Sequence, residues 1–286
     1  GDELRNKASL SLGDTLGGEL GVHASGFSAA SSRPVIRGLE GPRTKVLENG
    51  MGSGDLSAIS NDHAIGSSIM TARQVEILRG PASLAYGSGA IGGLINIVND
   101  RIPTELAPRA SGEAELRVGS VDRSSGLGFS AERAAGNIGL HVDGSTSDAG
   151  DYRIPGTANV DGTGDRGKLS FSGQRERNVG VGATLMQDWG RVGASLAQLD
   201  KHYGVHGKDE NSAIDLSRTR FDIDSLFKSP LEGFDSLAFK FGYTDYKHTE
   251  LENGTDPSVR FTNKVADARW ELAHQPVAGW RGKLGL

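Results

Sequence analysis

Two patterns of apolar and polar positions divide the chain. In the first hundred residues the apolar residues fall in short runs bounded by glycine and proline. Val75–Leu78 and Leu94–Val98 flank a turn-rich centre with Gly80-Pro81, Gly87, Gly89, Gly92 and Gly93. Such runs predict short buried strands. Pro81 ends the first of them, because it lacks an N–H and fixes φ. The residues Pro81–Tyr86 then have room for about one or two helical turns, with proline near the start. Upstream, residues 1–22 read as helix and turn on Leu4, Leu10, Leu12, Leu16 and Leu20. Val35–Gly38 and Thr44–Leu47 read as short strands around the turn Glu40-Gly41-Pro42. Residues 49–66 read as a polar, glycine-rich loop carrying Asp55, Asp62 and His63.

From about residue 112 the period becomes two. Ala114, Leu116 and Val118 alternate with Glu113, Glu115 and Arg117. Ile138, Leu140 and Val142 alternate with Gly139, His141 and Asp143. Leu237, Phe239, Phe241 and Tyr243 share one face, as do Ala266, Ala268, Trp270 and Leu272. Segments of about ten alternating residues separated by turn residues predict an outer-membrane barrel, its apolar face toward lipid and its polar face toward the lumen. The connections alternate in length as well. Ala134–Gly136, Asp188–Gly190 and Gln275–Gly279 are tight; Gly150–Arg175, Tyr203–Leu216 and Leu251–Ser258 read as longer polar loops. Short periplasmic turns and long external loops are the asymmetry of such barrels. About nine strands are visible, too few for a closed bacterial barrel and odd in number. A soluble β-sandwich with one wet face is the competing fold.

The organisation is therefore a small α+β domain over 1–105, a linker over 106–111, and antiparallel barrel strands over 112–286. The absence of cysteine removes disulfides and thiolate metal sites. A net charge of −5 gives no support for nucleic-acid binding. No apolar run approaches the ~18–20 residues of a membrane-spanning helix. Neither the start, Gly1-Asp2-Glu3-Leu4, nor the end, Trp280–Leu286, carries a terminal signal, so a fragment of a longer chain is expected.

Gly87-Ser88-Gly89-Ala90-Ile91-Gly92 fits the spacing of a dinucleotide loop. That loop needs a helix after it, whereas Leu94–Val98 is a strand signal, so nucleotide binding is set aside. No catalytic pattern survives either. Ser88 lacks the G-x-S-x-G context. His202 and His206 stand at zinc-protease spacing, but Tyr203 occupies the glutamate place.

Glu76–Val98 resembles the plug signature of TonB-dependent outer-membrane receptors, and Pro34-Val-Ile-Arg-Gly38 resembles their upstream plug motif, in the family's order and spacing. The resemblance implies an α+β plug domain followed by an antiparallel transmembrane β-barrel. That barrel is incomplete here, with about nine strands of a probable 22. It also implies an outer-membrane location and energisation by the TonB-ExbB-ExbD complex through a short N-terminal segment that the chain does not show. An importer is implied, not an enzyme, with no organic cofactor.

Asp62-His63 offers a carboxylate and an imidazole, natural zinc ligands, in a loop where adjacent side chains can aim at one ion. Read from composition alone, the same pair fits a solvated turn capped by Asp62. The flanks Lys45–Leu47 and Gln74–Gly80, together with Tyr243–Glu250, look like the neisserial-type zinc-uptake receptors of this family. That likeness implies Asp62, His63 and Glu250 as ligands of transported zinc, with a further barrel histidine beyond residue 286. His248 shares a strand face with Glu250 and is either a spare ligand or a lumen residue. His202, His206 and Asp209 lie in a stretch that serves either as a solvated loop or as an ancillary metal site. The expected partners are a metal ion, the energy-transducing complex and outer-membrane lipid. Two further functions stay open: uptake of a metal chelate such as a ferric siderophore or haem, and a non-transporting surface binding protein.

Overall fold

The structure, a computed structural model, describes residues 4, 7, 9, 11–80, 86–208 and 210–286. Of the helical turns expected over Pro81–Tyr86, residues 81–85 lie outside the described residues. Helix α1 (Leu12–Leu16) is capped by Ser11, whose hydroxyl accepts from the Asp14 amide. It packs Leu12 and Leu16 beside the hairpin of β1 (Val22–Ser25) and β2 (Arg33–Ile36). Next come β3 (Thr44–Glu48), β4 (Met51–Gly52), β5 (Gln74–Leu78) and β6 (Gly93–Val98). They form one sheet in the order β4-β3-β6-β5, with β3 and β6 parallel. Strand β6 reads as a nearly unbroken apolar run because both its faces are covered. Ile95 and Ile97 meet Leu12, Leu16, Val22, Ile36 and Ile65, while Leu94 meets Leu47 and Ala90 on the other side.

The second pattern becomes a wall. Strands β7 (Ser111–Val118), β8 (Ser125–Ala135), β9 (Ile138–Ala149), β12 (Gln174–Gln187), β13 (Gly190–Val205), β14 (Ser212–Lys228), β15 (Phe234–Glu252), β16 (Asp256–His274) and β17 (Lys283–Gly285) form one antiparallel sheet of nine strands. The sheet stays open, with β7 and β17 at its edges. A separate hairpin, β10 (Tyr152–Thr157) and β11 (Arg166–Leu169), projects between β9 and β12. Register fixes the faces. Val142, Val181, Leu196, Phe221, Tyr243 and Ala266 form one cross-strand row on the outer surface. The next row, one residue along, includes Asp143, Gly180, Arg220 and Thr244 and faces the α+β domain.

Two of the expected long loops are mostly strand. β13 runs to Val205 and β14 starts at Ser212, so the Tyr203–Leu216 connection shrinks to residues 206–211. Likewise β15 and β16 leave only residues 253–255 of the Leu251–Ser258 loop. The cause is a change of phase along the strands. In the lower wall apolar side chains point out and polar ones in. Higher up, Leu199, Tyr203, Ile214, Leu216 and Tyr246 point inward and are buried, while Asp200, His202, Asp215 and Lys247 point out. Strands that stand clear of lipid bury their apolar residues against the domain inside.

The α+β domain is fastened to the wall by charge as well as packing. Glu48, at the end of β3, accepts from Arg218 Nη1 at 2.8 Å, Ser67 Oγ at 3.0 Å and Asn99 Nδ2 at 3.0 Å, with Arg101 Nη1 at 3.3 Å. Burial alone pushes its carboxyl pKa up, but the guanidiniums of Arg218, Arg220 and Arg101 outweigh that and hold it far below the usual carboxylate range. Arg101 also grips Asp143 through Nε at 2.8 Å and Nη2 at 2.9 Å. It reaches the wall because β12 carries glycine there. A β-carbon on Gly180 would stand 2.2 Å from Arg101 Nε, and one on Gly182 only 1.6 Å from the Arg101 carbonyl oxygen. Gly182→Ala should therefore displace the Arg101 segment from the wall. The expected result is a trypsin site at Arg101 cut at least tenfold faster than in wild type, read by mass spectrometry of the released fragment.

Candidate metal centre

The loop over residues 53–66 is built by its own polar side chains. Asp55 accepts from the Ser57 amide at 3.1 Å and the Gly66 amide at 2.9 Å, closing the loop on itself. The His63 amide donates to the Ser60 carbonyl at 3.3 Å, and the Ser60 hydroxyl donates to the Asp62 carboxylate. Tyr203, wholly buried on β13, clamps the tip. Its hydroxyl donates to the Asp62 carbonyl at 2.8 Å and accepts from the Ala64 amide at 2.9 Å. Tyr203→Phe removes both bonds and strands the buried Ala64 N–H. It should cost about 1–3 kcal/mol in a urea titration of the folded protein.

His63 is thereby held at the wall, 2% exposed. Its Nδ1 donates to the Leu56 carbonyl at 3.1 Å, which leaves Nε2 facing Glu250 Oε1 at 3.4 Å. On β15 the alternation brings Tyr246, His248 and Glu250 to the same inner face. His248 Nδ1 is held by the Tyr246 hydroxyl at 2.8 Å, and its Nε2 lies 3.9 Å from Glu250 Oε1. That Nε2 is buried without a hydrogen-bond partner. The His248 ring lies against Phe261, its cross-strand neighbour, at 4.7 Å between centroids, and meets the His63 ring at 4.4 Å.

Ligand atoms of His63, His248 and Glu250 lie within 4.8 Å of one another. Among the described residues they are the one such group of three or more. Ligand atoms on a tetrahedral zinc with ~2.0–2.1 Å bonds stand ~3.3 Å apart, so a small inward shift closes the trio on an ion. Each histidine has its other nitrogen anchored, the arrangement that orients imidazole ligands. The donor set is nitrogen and oxygen without sulfur, suited to zinc, copper or iron ions.

The expected residues divide accordingly. His63 and Glu250 meet, although 187 residues separate them. Asp62 stands at the rim, its Oδ1 3.9 Å from His63 Nε2 and engaged by Ser60. His248, expected as a spare ligand or lumen residue, is part of the trio. His202 and His206 do not join it. His202 points to the outer face and pairs with Asp215 at 2.6 Å, both more than half exposed. His206 is tied to the Ser170 carbonyl at 3.0 Å and to Asn159 Oδ1 at 3.3 Å, beside the β10–β11 hairpin. Asp209 lies outside the described residues. The supporting roles of Tyr203, Tyr246 and Phe261 are not legible in the sequence. For Tyr246 a signal existed, its i, i+2 spacing to His248.

This geometry defines a class: a small α+β domain seated against the polar face of an open antiparallel β-sheet, with groups that could hold a metal ion converging from both. Residues 1–94 match the TonB-dependent Receptor Plug Domain, so the seated domain is a plug of that type. A curated relative, the probable TonB-dependent siderophore receptor PirA of Acinetobacter baumannii, is 28% identical over 163 residues, which are 57% of this chain and 18% of PirA. Among solved structures, the FrpB iron transporter from Neisseria meningitidis is 14% identical with a TM-score of 0.72, covering 96% of this chain and 45% of that one. The copper transporter OprC is 15% identical with a TM-score of 0.77, covering 92% and 40%. The chain thus spans less than half the length of these relatives. They are receptors and transporters, not enzymes, and the place of such proteins is the outer membrane of Gram-negative bacteria.

Proposed function

We propose that the protein of which this chain is part imports zinc across the outer membrane, with His63, His248, Glu250 and Asp62 as its ligands. The observation that carries the reading is the convergence of two anchored imidazoles and a carboxylate at the plug–wall contact, one imidazole nitrogen buried and without a partner. A mixed nitrogen and oxygen site without thiolate suits cargo that must be caught and then released. Two of the four groups, Asp62 and His63, belong to the plug loop; the other two belong to β15. Movement of the loop would halve the ligand set and drop the affinity. The pull on the plug comes from the TonB-ExbB-ExbD complex in this reading.

A second reading, uptake of a ferric siderophore or another metal chelate, is favoured by the similarity to PirA, whose name gives it as a probable siderophore receptor. In that case the trio would be incidental to the cargo. Calorimetry on the full-length protein separates the two. Wild type should bind Zn²⁺ tightly, and the double variant Asp62→Ala, His63→Ala should bind it at least tenfold more weakly. Unchanged affinity would end the zinc reading. Growth of a receptor-deleted strain carrying the gene, rescued by zinc and not by ferric siderophore or haem, is the matching result in cells.

A further inference from the structure

The hairpin β10–β11 stands on the longest connection between neighbouring wall strands, the one from β9 to β12. Its base crosses the end of the wall at which β15 carries Glu250. A β-carbon on Gly204 of β13 would stand 2.5 Å from the Phe171 carbonyl oxygen, and one on Gly254, in the β15–β16 turn, 2.7 Å from the Phe171 ring. The segment after β11 lies over these two bare positions.

Two side chains of the β13–β14 connection reach the hairpin. Lys208 pairs with Asp161 at 2.9 Å, an exposed ion pair of the kind that holds little. His206 is different, because each of its ring nitrogens faces an oxygen. Nδ1 lies 3.0 Å from the Ser170 carbonyl, which can only accept. Nε2 lies 3.3 Å from Asn159 Oδ1. An asparagine amide can turn round and offer its NH₂ instead, but this one is held. The Thr163 hydroxyl donates to the Asp161 carboxylate at 2.5 Å, which leaves the hydroxyl oxygen to accept. Asn159 Nδ2 donates to that oxygen at 3.0 Å, so Oδ1 is the atom turned toward His206. A neutral imidazole carries one N–H and satisfies one of its two oxygens; imidazolium donates to both.

The other charged groups on the elements that meet here are Asp165, Arg166 and Lys168 of the hairpin, Glu210 of the connection, and Glu252 and Asp256 beside the β15–β16 turn. Asp165 accepts from the Ser170 hydroxyl, and Lys168 pairs with Asp151 at 2.9 Å. Among the described residues no carboxylate bonds to the His206 ring.

We propose that His206 is a proton-operated latch. Protonated, it fastens the β10–β11 hairpin to the β13–β14 connection at both Ser170 and Asn159; neutral, it gives up one of the two contacts and the hairpin swings loose. Imidazole is the side chain whose ordinary charge change falls between about pH 5 and 8. Bonds to the charged form favour it, so the fastening is present in acid and is lost as pH rises. The inference goes beyond the transport reading and holds for any cargo; its failure leaves the histidine trio untouched.

The test is a distance measurement by pulsed electron resonance on full-length protein, with nitroxide labels on Val160→Cys and Glu210→Cys, two exposed positions in a chain that has no cysteine of its own. EDTA is present throughout, so that no metal ion competes for the imidazole. At about pH 5 the distances should form one narrow peak, and at about pH 8 its width should grow at least twofold. His206→Ala should be broad at both. Asn159→Asp sets a carboxylate opposite Nε2 and should keep the peak narrow to a pH at least one unit higher than wild type. Lys208→Ala should keep the pH dependence, which separates the latch from the exposed ion pair. The same distribution in wild type at both pH values overturns the proposal. So does a wild-type response that survives in His206→Ala, one that Asn159→Asp fails to move, or one that Lys208→Ala abolishes.

Discussion

His248→Ala should weaken zinc binding by the full-length protein roughly 100-fold, about 2.7 kcal/mol. The magnitude follows from its place. Losing a group that only orients a ligand already costs about 10–100-fold in metal affinity, and in the proposed site His248 supplies a ligand atom itself. Its ring is fixed on three sides, by the Tyr246 hydroxyl, by Phe261 and by His63, so no rearrangement of the wall replaces it. Tyr246→Phe should cost about tenfold, because it frees the ring without removing it. His202→Ala, on the opposite face of the sheet, should leave the affinity unchanged and serves as control. Calorimetry with each variant reads all three. If His248→Ala binds zinc as well as wild type, the wall contributes Glu250 alone and the trio is a packing feature.

How far the sequence led can be judged from these same residues. The outer rows were legible because lipid demands an apolar face and the lumen a polar one, so Phe239, Phe241 and Tyr243 announced their own orientation. The upper halves of β13 and β14 were not. Above the lipid the outward face turns polar and the inward face apolar, so Asp200, His202 and Asp215 look like loop residues although the period of two continues through them. The pairing of His248 with Glu250 was available from strand alternation. The meeting of His63 with Glu250 was not, since nothing in spacing brings together residues 187 apart. Only the resemblance to a plugged receptor placed the loop of residues 49–66 against the wall. The role of Tyr203 was hidden for a similar reason. Its value lies in two hydrogen bonds to a backbone that only the seated plug provides.

Glu48→Gln should loosen the plug more than any other single change in the described structure. The carboxylate is 3% exposed and stands among three guanidiniums, those of Arg101 and Arg218 in direct contact. Removing one partner of a buried ion pair costs about 3–5 kcal/mol, because the opposite charge stays buried without compensation. Protection of the β3 and β6 amides against hydrogen exchange should fall by roughly 10²–10³-fold, while that of β12–β15 should fall much less. The pH dependence has a definite sign. The folded-state pKa of Glu48 is depressed, so its contribution is fully present above the unfolded value of about 4.3 and fades as pH falls below it toward the folded value. Wild type should therefore keep its plug seated at neutral pH and release it only in strong acid. Glu48→Gln should show the loosened state already at pH 7, with little further change between pH 5 and 3. Equal protection in variant and wild type would mean that packing by Tyr203, Leu199 and Tyr246 suffices to seat the plug. In the transport reading the plug has to be held against diffusion and yet yield to a pull. A charge cluster suits that task, because it is strong while dry and its attraction weakens once water enters between the partners.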